Sequence, residues 1–219
     1  LHELENTLFF QTLATHIGEE PSLLFESLWD APKAVIALFI KKYTGKNVLI
    51  ITGGERENLL CDDLSYFSKE AILSFPSSEI LPGEDIPPNP DIIGKRLEIL
   101  HHLLKEKGPH MILTPIQGIL QKVTPPHLLR KKFLTLKKGE VLSFDALPEI
   151  LMELGYHRQP IAADKGEFAI RGGILDIFPI SAFDPYRIDF FGDEIDDIRT
   201  FDPISQKSIA KKESVFIAP

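Results

Sequence analysis

The sequence predicts an α/β chain in two parts, an α/β domain over residues 1–132 and a small α+β domain with a mainly antiparallel sheet over residues 133–219. Three observations carry this reading. Helical and strand-like segments alternate through the first part, short strands follow one another through the last, and 43% hydrophobic content in 219 residues is enough to build real cores.

In the first part, an apolar helical pattern over residues 31–42 leads into a buried-strand run at 47–52, and a second strand is predicted at 71–75. Pro76, Pro82, Pro87, Pro88 and Pro90 then exclude regular structure, because each lacks an N–H donor and has a fixed φ. Asn89 and Pro90 read as the N-cap and first residue of a helix whose Ile93, Leu97, Leu100 and Leu104 form one stripe, with Gly108 as its stop. A short strand at 111–114 follows.

The pattern changes after Lys132. A strand at 133–136 and a Lys-Lys-Gly turn precede a helix at 145–154, in which Asp145 as N-cap would place Pro148 harmlessly in the first turn and Gly155 ends the helix. Strands are predicted at 167–171, 174–178 and 186–191, the first two joined at Gly172 and Gly173, so an antiparallel sheet with one helix packed on it is expected. The chain opens on Leu1 and closes just after a strand-like segment at 214–218, which reads as a piece of something longer.

The chemistry that would mark an enzyme is missing. Adjacent acidic pairs (Glu19/Glu20, Asp62/Asp63, Glu84/Asp85, Asp196/Asp197) point to different faces of a regular element and read as solvated surface. His101 and His102 lack the spacing by which one helix shares a metal. Cys61 has no activating neighbour, and no nucleophile elbow is present. No catalytic residue and no metal ligand is predicted. At Thr52, Gly53 and Gly54 backbone amides could cradle an anion, but Glu55 and Glu57 oppose it, and an ordinary turn is expected. The stretch from Ser27 to Ala34 puts Lys33 at a helix start yet has none of the glycines of a phosphate loop, and Ala34 stands where a hydroxyl would hold magnesium. A net charge of −8 argues against a nucleic-acid footprint over the whole surface, leaving Arg130, Lys131, Lys132, Lys137 and Lys138 as a local basic cluster. With no signal peptide and no apolar run of membrane-spanning length, a cytoplasmic location away from membranes is expected.

Alternation in 186–191 sets Tyr186, Ile188 and Phe190 toward the core and Arg187, Asp189 and Phe191 on the opposite side. The same rule turns Phe168 and Ile170 inward and leaves Arg171 outward with Ala169. Arginine and phenylalanine on one exposed sheet face combine a planar fork of donors with apolar area, the chemistry of an interface hot spot. From pattern alone, Phe191 packed beneath a loop and two routine surface arginines remain equally open.

The segments Gly166-Glu-Phe-Ala-Ile-Arg-Gly-Gly-Ile-Leu-Asp-Ile-Phe-Pro179 and Tyr186-Arg-Ile-Asp-Phe-Phe-Gly-Asp-Glu-Ile-Asp-Asp-Ile-Arg-Thr-Phe-Asp202 closely resemble the UvrB-homology region of the transcription-repair coupling factors. Leu81-Pro82, Asn89-Pro-Asp-Ile-Ile-Gly-Lys-Arg-Leu97, Thr114-Pro115 and Lys137-Lys-Gly139 match in the same order, so the resemblance covers almost the whole chain. It implies a degenerate RecA/helicase-like subdomain over 1–132, in which Lys33 and Ala34 are the remnant of UvrB's phosphate loop, and no ATPase. Residues 133–219 would be the module that recruits UvrA to stalled RNA polymerase in transcription-coupled nucleotide excision repair. Arg171, Arg187 and Phe191 fall on the positions that contact UvrA in the family. Substituting Phe191 by Ala or reversing either arginine is expected to cost about 2 kcal/mol of UvrA affinity with the fold intact. The resemblance assigns ATP, magnesium, double-stranded DNA and RNA polymerase to a downstream translocase and polymerase-binding domain, with no cofactor here. The alternative is a UvrB-like helicase fragment that binds ATP and damaged DNA, and Ser27 to Ala34 separates the two.

Overall fold

The computed structural model describes residues 6–53, 57–78 and 88–219, so Gly54 and Glu55 of the anion-cradle candidate, Glu84/Asp85, and Pro82 and Pro87 of the Pro-rich passage lie outside the described residues. The chain forms two compact units, Leu1–Ser78 with Lys105–Lys122, and Glu79–Leu104 with Val123–Pro219.

The first unit holds helices α1 (Leu8–Glu19), α2 (Asp30–Thr44) and α3 (Glu57–Phe67), strands β1 (Val48–Thr52), β2 (Ile72–Ser74) and β3 (Met111–Pro115), and short α5 (Ile116–Leu120). The strands form a parallel sheet in the order β1-β3-β2. Their continuous apolar runs suit a parallel sheet, whose crossovers lay helices on its face. Ala34 and Leu38 of α2, Leu64 of α3 and Met111 of β3 make a buried cluster, against which Val48, Ile50 and Ile72 pack. Phe10 and Leu13 of α1 meet Ile36 and Phe39 of α2 in a second cluster.

The second unit contains α4 (Pro90–Lys105), short α6 (Pro126–Leu129), α7 (Leu147–Glu153), and eight strands: β4 (Leu134–Lys137), β5 (His157–Arg158), β6 (Glu167–Arg171), β7 (Ile174–Ile177), β8 (Tyr186–Phe191), β9 (Glu194–Phe201), β10 (Ser208–Lys212) and β11 (Ser214–Ile217). Six of them form one sheet in the order β10-β9-β8-β7-β6-β5, antiparallel except for β5 with β6, and β4 pairs with β11 in a separate antiparallel ribbon. The core is built from Phe168, Leu175, Ile177, Ile188, Ile195 and Ile198 of the sheet, Leu147 and Leu151 of α7, and Leu136, Val215 and Ile217 of the ribbon. Tyr156 closes it at one end by donating its hydroxyl to the Ala218 carbonyl at 2.8 Å. Burial raises the Tyr156 pKa above its ordinary value.

The α4 N-cap is as expected, since Asn89 Oδ1 accepts the Asp91 N–H at 2.9 Å. Division at 132/133 groups α4 with the first part, whereas the helix packs within the second unit. Gly94 is the reason it fits: a Cβ there would lie 2.1 Å from the Ile180 carbonyl oxygen. Asp91 pairs with Lys165, and His101 packs against both Phe133 and Phe216. An amphipathic stripe states that a helix is half-buried, not which sheet it covers. The α7 helix starts later than predicted, with Ala146 rather than Asp145 at the cap and Pro148 still in the first turn.

Candidate protein-docking face

The face of interest is the side of the six-stranded sheet opposite the core, and the strand registers assemble it. Across β6, β7, β8, β9 and β10, Ala169 faces Asp176, Asp176 faces Arg187, Arg187 faces Arg199, and Arg199 faces Lys211. The next row runs Arg171, Ile174, Asp189, Asp197. Directly paired residues share a face, so this side carries an ordered set of charges. Two tight turns bound it. Gly172 joins β6 to β7 at φ +59, and Gly192 joins β8 to β9 at φ +63, conformations that side chains rarely adopt.

At the centre of the set is Asp176, only 1% exposed. Its Oδ1 accepts from Arg187 Nε at 2.6 Å and its Oδ2 from Arg187 Nη2 at 2.8 Å, a bidentate fork. Arg171 Nη2 reaches the same Oδ2 at 2.8 Å. Arg187 also donates to Gln206 Oε1 at 2.9 Å and lies 4.5 Å from the centre of the buried Phe201 ring. The hydrogen bond to Asp176 holds the Arg187 guanidinium above its ordinary pKa. Arg199, directly opposite Arg187, is likewise raised by its hydrogen bond to Asp189, so each cation has its own carboxylate.

Register shifts where Asp189 pairs with Asp197 and Phe190 with Ile195, leaving Asp196 as the extra residue of a bulge. The adjacent pair Asp196/Asp197 therefore does not simply alternate. Asp197 takes Arg199, Lys138 and Lys211 as partners. Burial pushes its pKa up, but the hydrogen bonds and charges of Arg199 and Lys211 outweigh this and leave it below the usual carboxylate value.

The three predicted docking residues share this outer side in very different environments. Phe191 is 83% exposed, and the Arg171 side chain is 54% exposed. Arg187 is not the solvated charge that alternation suggested, for its side chain is 16% exposed and held by Asp176, Gln206 and the Phe201 ring. The expectation that reversing either arginine spares the fold therefore needs correction at Arg187. A carboxylate there would leave Asp176 buried beside a like charge.

Two residues were missed. Asp176 follows from alternation, since it lies opposite to Leu175 and Ile177 in β7, but its arginine partners follow only from register. Val141, 72% exposed, bridges to Glu194, which itself pairs with Phe191, so Phe191, Glu194 and Val141 form one exposed row.

In the first unit, Lys33 lines a cleft of about 520 Å³ at the end of β1 with Asp30, Thr52, Gly53 and Asp63. Ala34, its neighbour, points the other way into the core. Among the described residues, no strand runs into the Ser27 to Ala34 stretch. Arg130, Lys131 and Lys132 form an exposed 3-10 turn, and Lys138 is drawn toward Asp197 at 3.8 Å. No cluster of three or more metal-ligating side chains occurs among the described residues, and no described helix is long and apolar enough to cross a membrane.

Residues 134–219 match the family model of the UvrB interaction domain. The transcription-repair-coupling factor of Escherichia coli is 34% identical over 209 residues, covering 95% of this chain and 18% of the relative. Over almost its whole length the chain is therefore similar to one segment of the transcription-repair coupling factors. Its counterpart in Haemophilus influenzae is 38% identical over 156 residues, covering 71% of the chain and 14% of the relative. The one in Bacillus subtilis is 29% identical over 206 residues, covering 93% and 17%. The chain thus spans less than a fifth of the length of these curated coupling factors, and the segment matching the interaction domain begins at the first residue of β4 and contains the whole candidate face.

Proposed function

We propose that the second unit is a recruitment module that binds UvrA through Arg171, Phe191 and the Arg187 network, bringing that repair protein to RNA polymerase stalled on DNA during transcription-coupled nucleotide excision repair. The observation that carries the reading is an exposed Phe191 on the same rigid sheet face as an exposed arginine. Strand spacing of about 4.8 Å and a rise of about 3.3 Å per residue put the Arg171 and Phe191 backbones roughly 12 Å apart, within one hot-spot patch. The match of residues 134–219 to an interaction domain supports the same reading.

On this reading the module is not an enzyme and works in the cytoplasm. ATP hydrolysis with magnesium, duplex DNA and polymerase contacts belong to parts of the coupling factors outside the matched segment, and the first unit is a degenerate RecA-like subdomain. Lys33 in its cleft favours the second reading, a helicase fragment that binds ATP. Two acidic side chains, Asp30 and Asp63, line the same cleft and oppose a triphosphate.

Calorimetric titration of the chain into UvrA tests the proposal. Phe191→Ala and Arg171→Glu are each expected to cost about 2 kcal/mol of affinity. Unchanged binding by the folded double variant would overturn it, and tight magnesium-dependent ATP binding would favour the helicase reading.

A further inference from the structure

We propose that Asp176 is the positioning residue of the docking face, and that Arg187 acts mainly as its clamp while Arg171 meets a carboxylate of the partner. This rests on the docking reading above and refines it. Arg187 forks over both oxygens of Asp176 with Nε and Nη2 and is itself held by Gln206 and by the Phe201 ring. One buried carboxylate between two guanidiniums leaves a single net positive charge. The exposures decide where that charge is presented, because the Arg187 side chain is largely covered and that of Arg171 is not. Arg171 spends Nη2 on Asp176 Oδ2 and keeps its other donors for an incoming group. A guanidinium fixed at one nitrogen has lost part of its rotamer freedom before the partner arrives, which lowers the entropy cost of binding. Its planar array of remaining N–H groups suits a carboxylate.

Three roles for Asp176 make different predictions for Asp176→Asn, which keeps the shape and removes the charge. If Asp176 served only the fold, melting temperature would fall while affinity for UvrA stayed unchanged. If it acted only as a charge, its removal would make the face more positive and tighten binding to an acidic site. Positioning predicts weakening, by about tenfold in the otherwise native chain and by less than twofold when Arg171 is already Ala.

The experiment is therefore titration of UvrA with the 219-residue chain and with Asp176→Asn, Arg171→Ala, Phe191→Ala and the Asp176→Asn/Arg171→Ala double variant, with melting followed by circular dichroism. Unchanged or tighter binding by Asp176→Asn, or an equal loss in both backgrounds, overturns the positioning role. Unchanged binding by both Arg171→Ala and Phe191→Ala would instead overturn the docking reading itself. Should Asp176→Asn fail to fold, Arg187→Lys takes its place: the charge stays, the fork over both carboxylate oxygens is lost, and about a fivefold loss of affinity is expected. Native affinity in that variant would overturn the proposal.

Discussion

The two faces of the six-stranded sheet are made by the same strands and differ in every physical respect. On the inner face Phe168, Leu175, Ile177, Ile188, Ile195 and Ile198 are fully buried and pack against α7 and the β4–β11 ribbon. On the outer face arginines, lysines and aspartates pair across the strands around one buried carboxylate. Burial of apolar area stabilises without direction, so the inner face holds the unit together and specifies little else. Charged pairs near the surface add little stability but have defined geometry, which is what recognition requires. Asp176 breaks this division, since it belongs to the outer face by register and to the interior by burial.

The sharpest way to break the comparison is on the inner face. Phe168→Ala is expected to cost about 4 kcal/mol by leaving a cavity among well-packed neighbours, with no loss of UvrA affinity in the molecules that stay folded. Chemical denaturation and titration together check it. Next comes Arg187→Glu, expected to cost about 3 kcal/mol of stability because it removes one partner of a buried carboxylate and adds a like charge. Arg171→Ala at the exposed end should stay under about 1 kcal/mol in the same denaturation experiment. Equal losses at the two arginines would contradict the contrast between covered and presented cations.

Smaller effects sharpen the picture. Tyr156→Phe should cost about 1 kcal/mol through the lost hydrogen bond to Ala218. Its pH dependence has a definite sign. Native Tyr156 holds its proton more tightly than the unfolded chain does, so its contribution is complete below about pH 10 and falls away as pH rises beyond that. Thermal melts at rising alkaline pH should destabilise the native chain more than the Phe variant. The smallest expected effect is that of Val141→Ala, about 0.5 kcal/mol of UvrA affinity from lost apolar area in the row of Phe191, with stability unchanged.

Much of the second unit was legible from period-two alternation: β6, β7 and β8, their inward residues, and the turn at Gly172 and Gly173. The β9 and β10 strands were not. Glu194, Asp196 and Asp197 fill the first half of β9 with acids and a bulge puts its buried Ile195 and Ile198 three residues apart, while β10 is exposed throughout, so neither shows a period of two. What makes β9 tenable is tertiary. The bulge at Asp196 turns its acids outward, where Arg199, Lys138 and Lys211 meet Asp197. The longer helix pattern at α4 was equally plain, yet its place in the second unit depended on Gly94 approaching Ile180.

The candidate site divides in the same way. Alternation along one strand is a local property, and by itself it turned Arg171, Arg187 and Phe191 away from the core. Which charges are free and which are held is set by register between strands, and register is a non-local property. Only the folded sheet decided that Asp176 stands between both arginines, that Arg187 is covered by Phe201 and Gln206, and that Val141 lies in the row of Phe191, because each of these contacts joins residues far apart in the chain or on different strands.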